Sequence, residues 1–115
     1  MCYAAYSKGT TALLAAILAT SESLGVRDEL YGQWNMDDPS FSEQANRRTS
    51  RVTAKAWRFE GEMHEIASTF QEAGLPGGFH ESAAEVYRRM AAAQGESEAL
   101  SLAEILDALR GQNPA

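Results

Sequence analysis

Lys8 lies in the opening stretch MCYAAYSKGTTALLAAILATSESLG, which is dominated by alanine, leucine and small hydroxyl residues. An ammonium in such a helix must reach water, an acid or an anionic ligand, because burying it unpaired is costly. Gly9 beside it costs about 1 kcal/mol of helix stability relative to alanine. A glycine there suits close approach by a ligand or by another backbone. Ser7, Lys8 and Thr10 together could hold an anion. In the simpler alternative Lys8 only snorkels to solvent near a helix end.

A second group of cations is Arg47, Arg51, Lys55 and Arg58, with Arg48 beside them, five of the ten in the chain. Their 4-4-3 spacing would stripe one face of a continuous helix. Such a stripe can hold phosphate or carboxylate, but it reads first as a solvated face pairing with Glu43, Glu60 and Glu62. Glu60 and His64 share the i, i+4 spacing. A carboxylate-bridged di-iron bundle needs Glu-x-x-His twice, and neither occurs, so no metal site is expected. His64 and His80 have no serine or cysteine nucleophile in a recognisable motif, which leaves a hydrolytic triad unsupported. Cys2 reads as a small buried apolar residue, and Trp57 and Phe59 as core anchors. No glycine-rich phosphate loop occurs. Gly74, Gly77 and Gly78 are turn glycines after a helix.

The elements that must position these residues are helical. Strand signals are nearly absent. A first helix is expected from about Cys2 to Leu24, apolar around almost its whole circumference, which places it at a centre; Gly25 should stop it. A short helix over Val26–Trp34 follows. Pro39 fits the first turn of a third helix, with Asp38 as its N-cap, running to about Arg51. Val52–Trp57 reads as an irregular bridge. Glu60–Ala73 is amphipathic, with Met63, Ile66, Ala67 and Phe70 at helical spacing. The run from Gly74 to Gly78 ends it. Phe79–Ala93 carries Phe79, Ala83, Val86, Tyr87 and Met90 on one face. Gly95–Ala99 reads as a linker, and Ser101 with Glu104 as a capping box on a last helix to Arg110. The expected fold is an all-α helical bundle around a long central N-terminal helix.

With 115 residues the chain forms one core of modest size. Its net charge of −6 argues against nucleic-acid or anionic-membrane partners. The Arg47–Arg58 stripe is the only support for a helix-turn-helix DNA binder. One cysteine allows no internal disulfide, which suits a reducing cytoplasm. Lys8 followed by the apolar run Thr11–Thr20 mimics a secretory leader, but the cation comes after two tyrosines and the pattern continues to Leu24. The uncharged run Gly9–Ser21 is shorter than the ~20 residues a membrane span needs.

Three motifs in order, MCYAAYSKGTTALLAA, KAWRF-x-GEM-x-EIA and AGLP-x-GFH-x-x-AAEVY, resemble a known domain. It is the helical C-terminal domain of NAD(P)-dependent oxidoreductases of the phosphogluconate-dehydrogenase and β-hydroxyacid-dehydrogenase superfamily. The resemblance covers residues 1–94; residues 95–115 are a linker and helix without assignment. It implies a preceding Rossmann domain that binds NAD or NADP, a long helix leading into the all-α domain, and a homodimer acting on a small anionic substrate. The superfamily's catalytic lysine opens a Lys-Met-x-(His/Tyr)-like run. Here that run is Met1-Cys2-Tyr3, so the lysine would precede Met1, and the chain reads as the second half of an enzyme.

By the same resemblance Ser7 falls where phosphogluconate dehydrogenases carry a catalytic glutamate. Lys8 replaces a tyrosine that touches substrate phosphate, Gly9 matches, and Ala4 replaces a substrate-holding asparagine. Tyr3, Ser7, Lys8 and Thr10 are then the expected substrate-binding residues. Glu62 keeps the acid of a Lys-Asp pair found in the hydroxyacid relatives, whereas Gly61 lacks the lysine, so Glu62 is a possible cleft residue. The implied chemistry is hydride transfer from a hydroxy acid to nicotinamide. The competing expectation is a stand-alone helical protein-interaction module without catalysis.

Overall fold

The structure is a computed structural model that describes residues 1–94 and 100–110. Among them every regular element is helical: α1 Cys2–Leu24, α2 Arg27–Asp37, α3 Phe41–Arg51, a 3-10 turn Val52–Lys55, α4 Ala56–Glu72, α5 Gly78–Gln94 and α6 Leu102–Arg110. The expected linker Gly95–Ala99 lies outside the described residues.

α1 is the hub, packing against each of the other five α-helices. Its inward face is small: Ala5, Ala12, Ala15 and Ala19 are buried, with Leu18 as the one large buried side chain. Alanines there let the neighbouring backbones come close. The helix is not enclosed all round, however. Tyr3, Tyr6, Leu13 and Leu24 stand exposed. α1 stops where Gly25 takes the left-handed conformation at φ 72°. The Gly25 and Val26 amides then donate to the Glu22 and Ser21 carbonyls at 3.2 and 2.9 Å, closing the last turn.

α2 runs three residues beyond the expected Trp34 and buries no residue fully. It is held to α3 by a polar and aromatic clasp. Tyr31 donates to Asn46 Oδ1 at 3.0 Å, Asn35 and Ser42 exchange two hydrogen bonds, and Trp34 meets Phe41 edge-on at 4.9 Å. Pro39 is not in the first turn of α3, and Asp38 does not cap that helix. Instead Asp38 Oδ1 accepts from the Ser40 amide and hydroxyl, both at 3.1 Å, in an Asx turn that leaves Pro39 outside the helix. Val52–Trp57 is not irregular either. One 3-10 turn spans Val52–Lys55 and α4 begins at Ala56.

α4 and α5 form the most extensive helix pair. Ala56, Phe59, Met63, Ile66 and Ala67 face inward from α4, and Ala83, Ala84, Tyr87 and Met90 from α5. Each large side chain among them contributes roughly 1.5–3 kcal/mol through burial. The turn between them needs Gly74, at φ 86°, and Gly77, whose added Cβ would lie 2.9 Å from the Ala67 carbonyl oxygen.

Three side chains leave their expected places. Trp57 is 66% exposed, because the inward phase of α4 runs through Ala56 and Phe59 and turns position 57 outward. Phe79 is 74% exposed, because His80 takes the inward position in the first turn of α5. Cys2 is exposed as well, lying on the outward side of the first turn of α1.

The capping box closes as expected. The Ser101 amide donates to Glu104 Oε1 at 3.0 Å and the Glu104 amide to Ser101 Oγ at 3.2 Å. α6 adds Ile105, Leu106 and Leu109, and Leu100 just before it, to the same core as the other helices. Among the described residues no helix is long and apolar enough to cross a membrane.

Candidate functional site

The first three turns of α1 carry two adjoining sets of contacts, one polar and one apolar. On the polar side Lys8 Nζ donates to Glu62 Oε1 of α4 at 2.6 Å, and it sits 4.4 Å from the centroid of the Phe59 ring. Both partners are partly exposed, with 27% and 36% of their side-chain surfaces open. Lys8 therefore does not simply snorkel. The Phe59 ring and the Glu62 carboxylate fix its head at the rim of the core. Tyr87 of α5 donates to the Lys8 main-chain carbonyl at 2.6 Å. Burial pushes the Tyr87 phenol far up, with a smaller push from Glu62 and an opposing pull from Arg48. Tyr87 is thus a fixed neutral donor.

Arg48 reaches the same turns from α3. Its Nε donates to Thr11 Oγ1 at 2.7 Å and its Nη2 to the Ser7 carbonyl at 2.8 Å and to Thr10 Oγ1. The two threonine hydroxyls are spent on the helix itself: Thr10 donates to the Tyr6 carbonyl at 2.5 Å and Thr11 to the Ser7 carbonyl at 2.7 Å. Their oxygens are therefore free to accept from Arg48.

On the apolar side α1 and α5 enclose an open groove of about 910 Å³, lined chiefly by Tyr6, Leu13, Ala16, Pro76, Phe79 and Val86. His80 forms its floor. The imidazole is 7% exposed, Nε2 donates to the Ala5 carbonyl at 3.0 Å, and the ring meets Phe70 edge-on at 4.8 Å. Gly9 permits this packing, since a Cβ there would lie 2.8 Å from His80 Nε2. The group packed against Gly9 is thus the His80 side chain rather than another backbone.

Of the residues singled out from sequence, Ser7, Lys8 and Thr10 fall in the polar cluster, Ser7 through its carbonyl. Glu62 joins them from α4. Tyr3 is 83% exposed and makes no side-chain hydrogen bond among the described residues. The 3-10 turn Val52–Lys55 interrupts the continuous helix that a single cation stripe would need. Arg47, Arg51, Lys55 and Arg58 are exposed, and the pairings expected with Glu43, Glu60 and Glu62 are not among the ion pairs of the described residues. Arg48, one place off that stripe, is the cation that turns inward. Tyr87 and His80 were also hidden in the pattern. Tyr87 reads as an ordinary core residue until its buried hydroxyl needs an acceptor, and His80 reads as a lone histidine until Gly9 explains its berth. His64 pairs with Glu81 at 3.0 Å on the surface, and among the described residues no three His, Cys, Asp or Glu side chains converge on one point.

No curated protein and no solved structure was found to match the chain. One family profile matches residues 21–90, more than half of the sequence, a span that contains Arg48, Glu62, His80 and Tyr87 but stops short of the first turns of α1. On that match the chain belongs to the family described as Domain of unknown function (DUF1932), the C-terminal domain family found in 6-phosphogluconate/β-hydroxyacid dehydrogenase-like proteins.

Proposed function

We propose that this chain is the substrate-binding and dimerising C-terminal domain of an NAD(P)-dependent dehydrogenase acting on a hydroxy acid. The observation that carries the reading is the seat of Lys8. Its ammonium is fixed between Glu62 and the Phe59 ring yet stays partly open to solvent, on the helix that follows the cofactor domain in such enzymes. A cation held in place by the fold binds an anion at lower entropic cost than a free surface lysine.

Among the described residues no strand–loop–helix unit exists to cradle a dinucleotide. By the resemblance, NAD or NADP would be held by a preceding Rossmann domain, where it would accept the hydride. The residues of this chain would form one wall of the substrate cleft. Lys8 faces the anion, Tyr87 and Glu62 hold that wall, and Tyr3, Ser7 and Thr10 border it.

The test is kinetic. In the complete enzyme Lys8→Ala should raise KM for an anionic hydroxy acid by about tenfold or more, with kcat less affected, as expected for loss of an ionic contact to substrate. Unchanged kinetics would remove Lys8 from the site. The apolar groove favours a second reading, a helical interaction module without catalysis. That reading gains if the chain binds a protein partner while neither dinucleotide nor hydroxy acid alters its stability.

A further inference from the structure

We propose that Arg48 is an oxyanion receptor, the second cation of the α1 cluster, and that it binds the carboxylate or phosphoryl end of a small substrate. A guanidinium carries five N–H donors. Three are committed: Nε to Thr11, and Nη2 to Ser7 and Thr10. The two on Nη1 have no acceptor among the described residues. All three partners are neutral, and none of the ion pairs of the described residues includes Arg48. The side chain is half-buried, so its charge is only partly screened by water.

Three bonds to neutral acceptors fix this half-buried arginine and leave one nitrogen without a partner and the charge without a countercharge among the described residues. Helix packing would be served as well by an apolar side chain of similar volume. The same arrangement suits an anion. The rotamer is already fixed, the unbonded nitrogen offers two donors, and guanidinium–oxyanion bonds are among the strong ones. Arg48 and Lys8 set two cations against the single carboxylate of Glu62, in a chain whose net charge is −6. Arg48 from α3, Tyr87 from α5 and Glu62 from α4 all bond to the same turn of α1, at the Ser7 carbonyl, the Lys8 carbonyl and the Lys8 ammonium.

That the bound anion is a hydroxy acid rests on the dehydrogenase reading; that an oxyanion binds rests on Arg48 alone. The experiment is a titration of the 115-residue chain with malonate, with inorganic phosphate and with chloride at matched ionic strength. It follows the Arg48 Nε–H resonance by ¹H–¹⁵N correlation. The expected result is a saturable shift with malonate or phosphate and none with chloride; the tighter of the two identifies the group. Arg48→Gln should weaken binding by about tenfold or more, and Arg48→Lys should retain part of it. A wild-type resonance that does not move saturably overturns the proposal, and so does an Arg48→Gln chain that binds equally well. If Arg48→Gln fails to fold, the wild-type titration decides alone. An enzyme that binds hydroxy acid through Lys8 but shows no response at Arg48 would keep the dehydrogenase reading and remove this one.

Discussion

At the scale of single residues, Gly9 and His80 form a lock. The imidazole lies where the first carbon of any larger side chain at position 9 would go, 2.8 Å from Nε2. Gly9→Ala should push the ring off the Ala5 carbonyl and cost about 1–3 kcal/mol by overpacking. Alanine also favours the helix over glycine by about 1 kcal/mol. In a His80→Ala background the same substitution should therefore stabilise the chain, and chemical denaturation of the four proteins in this cycle measures that reversal of sign. Phe59 and Trp57 give a second contrast. Phe59 is buried, stacks edge-on against Tyr87 at 5.4 Å and floors the Lys8 ammonium, so Phe59→Ala should cost about 3–5 kcal/mol. Trp57 is exposed, and Trp57→Ala should change stability by less than about 0.5 kcal/mol. The sequence could not separate these two aromatics. Both fit the apolar count of the segment, and only the true start of α4 at Ala56 decides which one faces inward.

At the scale of elements, the signals that act within one turn were legible. The left-handed Gly25 and the Ser101–Glu104 box each depend on residues at most a few positions apart, so their local chemistry determines the outcome. At the start of α3 two local devices compete for Asp38, a helix cap and an Asx turn. An Asx turn to Ser40 used the carboxylate that a cap would have needed. The site was legible only where it lay on one element. Lys8 and Thr10 stood out within α1, whereas Arg48 required knowledge of how α3 meets α1 across 38 positions of sequence. A pH prediction belongs to α5. Arg88 and Arg89 hold the Glu85 carboxyl from its usual 4.5 down to about 2, chiefly by hydrogen bonds, and Arg89 Nη1 continues to the Leu109 carbonyl of α6 at 2.7 Å. A carboxyl depressed in the folded state adds stability above its unfolded pKa, and that contribution is lost as pH falls through the folded value. Solvent screening at this partly exposed triad limits the effect to about 1 kcal/mol or less. The stability difference between the wild type and Glu85→Gln should be present at pH values above 4.5 and should vanish toward pH 2.

At the scale of the whole molecule, α1 is both the hub of the bundle and part of its barest surface. The sequence showed that α1 is apolar nearly all round. It did not show that five packing neighbours would still leave one side uncovered, because small inward residues bring those helices onto a narrow strip. Tyr6, Leu13 and Phe79 are all more than half exposed around a groove of about 910 Å³. Contiguous apolar surface of this kind marks an interaction face, and the dimerising role proposed for the domain requires one. The prediction follows from the exposure of Leu13, 59% in the single chain. A charge placed there has water to reach, so Leu13→Glu should leave helicity and thermal stability of the monomer nearly unchanged. In a dimer seated on α1 the same charge would be buried without a partner and should weaken association by at least about tenfold. Sedimentation equilibrium of the wild type and Leu13→Glu over the same concentration range measures this directly. A concentration-dependent dimer that Leu13→Glu dissociates places the interface on α1. A dimer indifferent to the substitution moves the interface to another face and leaves the groove to the preceding domain. A wild type that stays monomeric throughout refutes dimerisation by this chain, and the exposed flank of α1 then needs another molecule or domain to cover it.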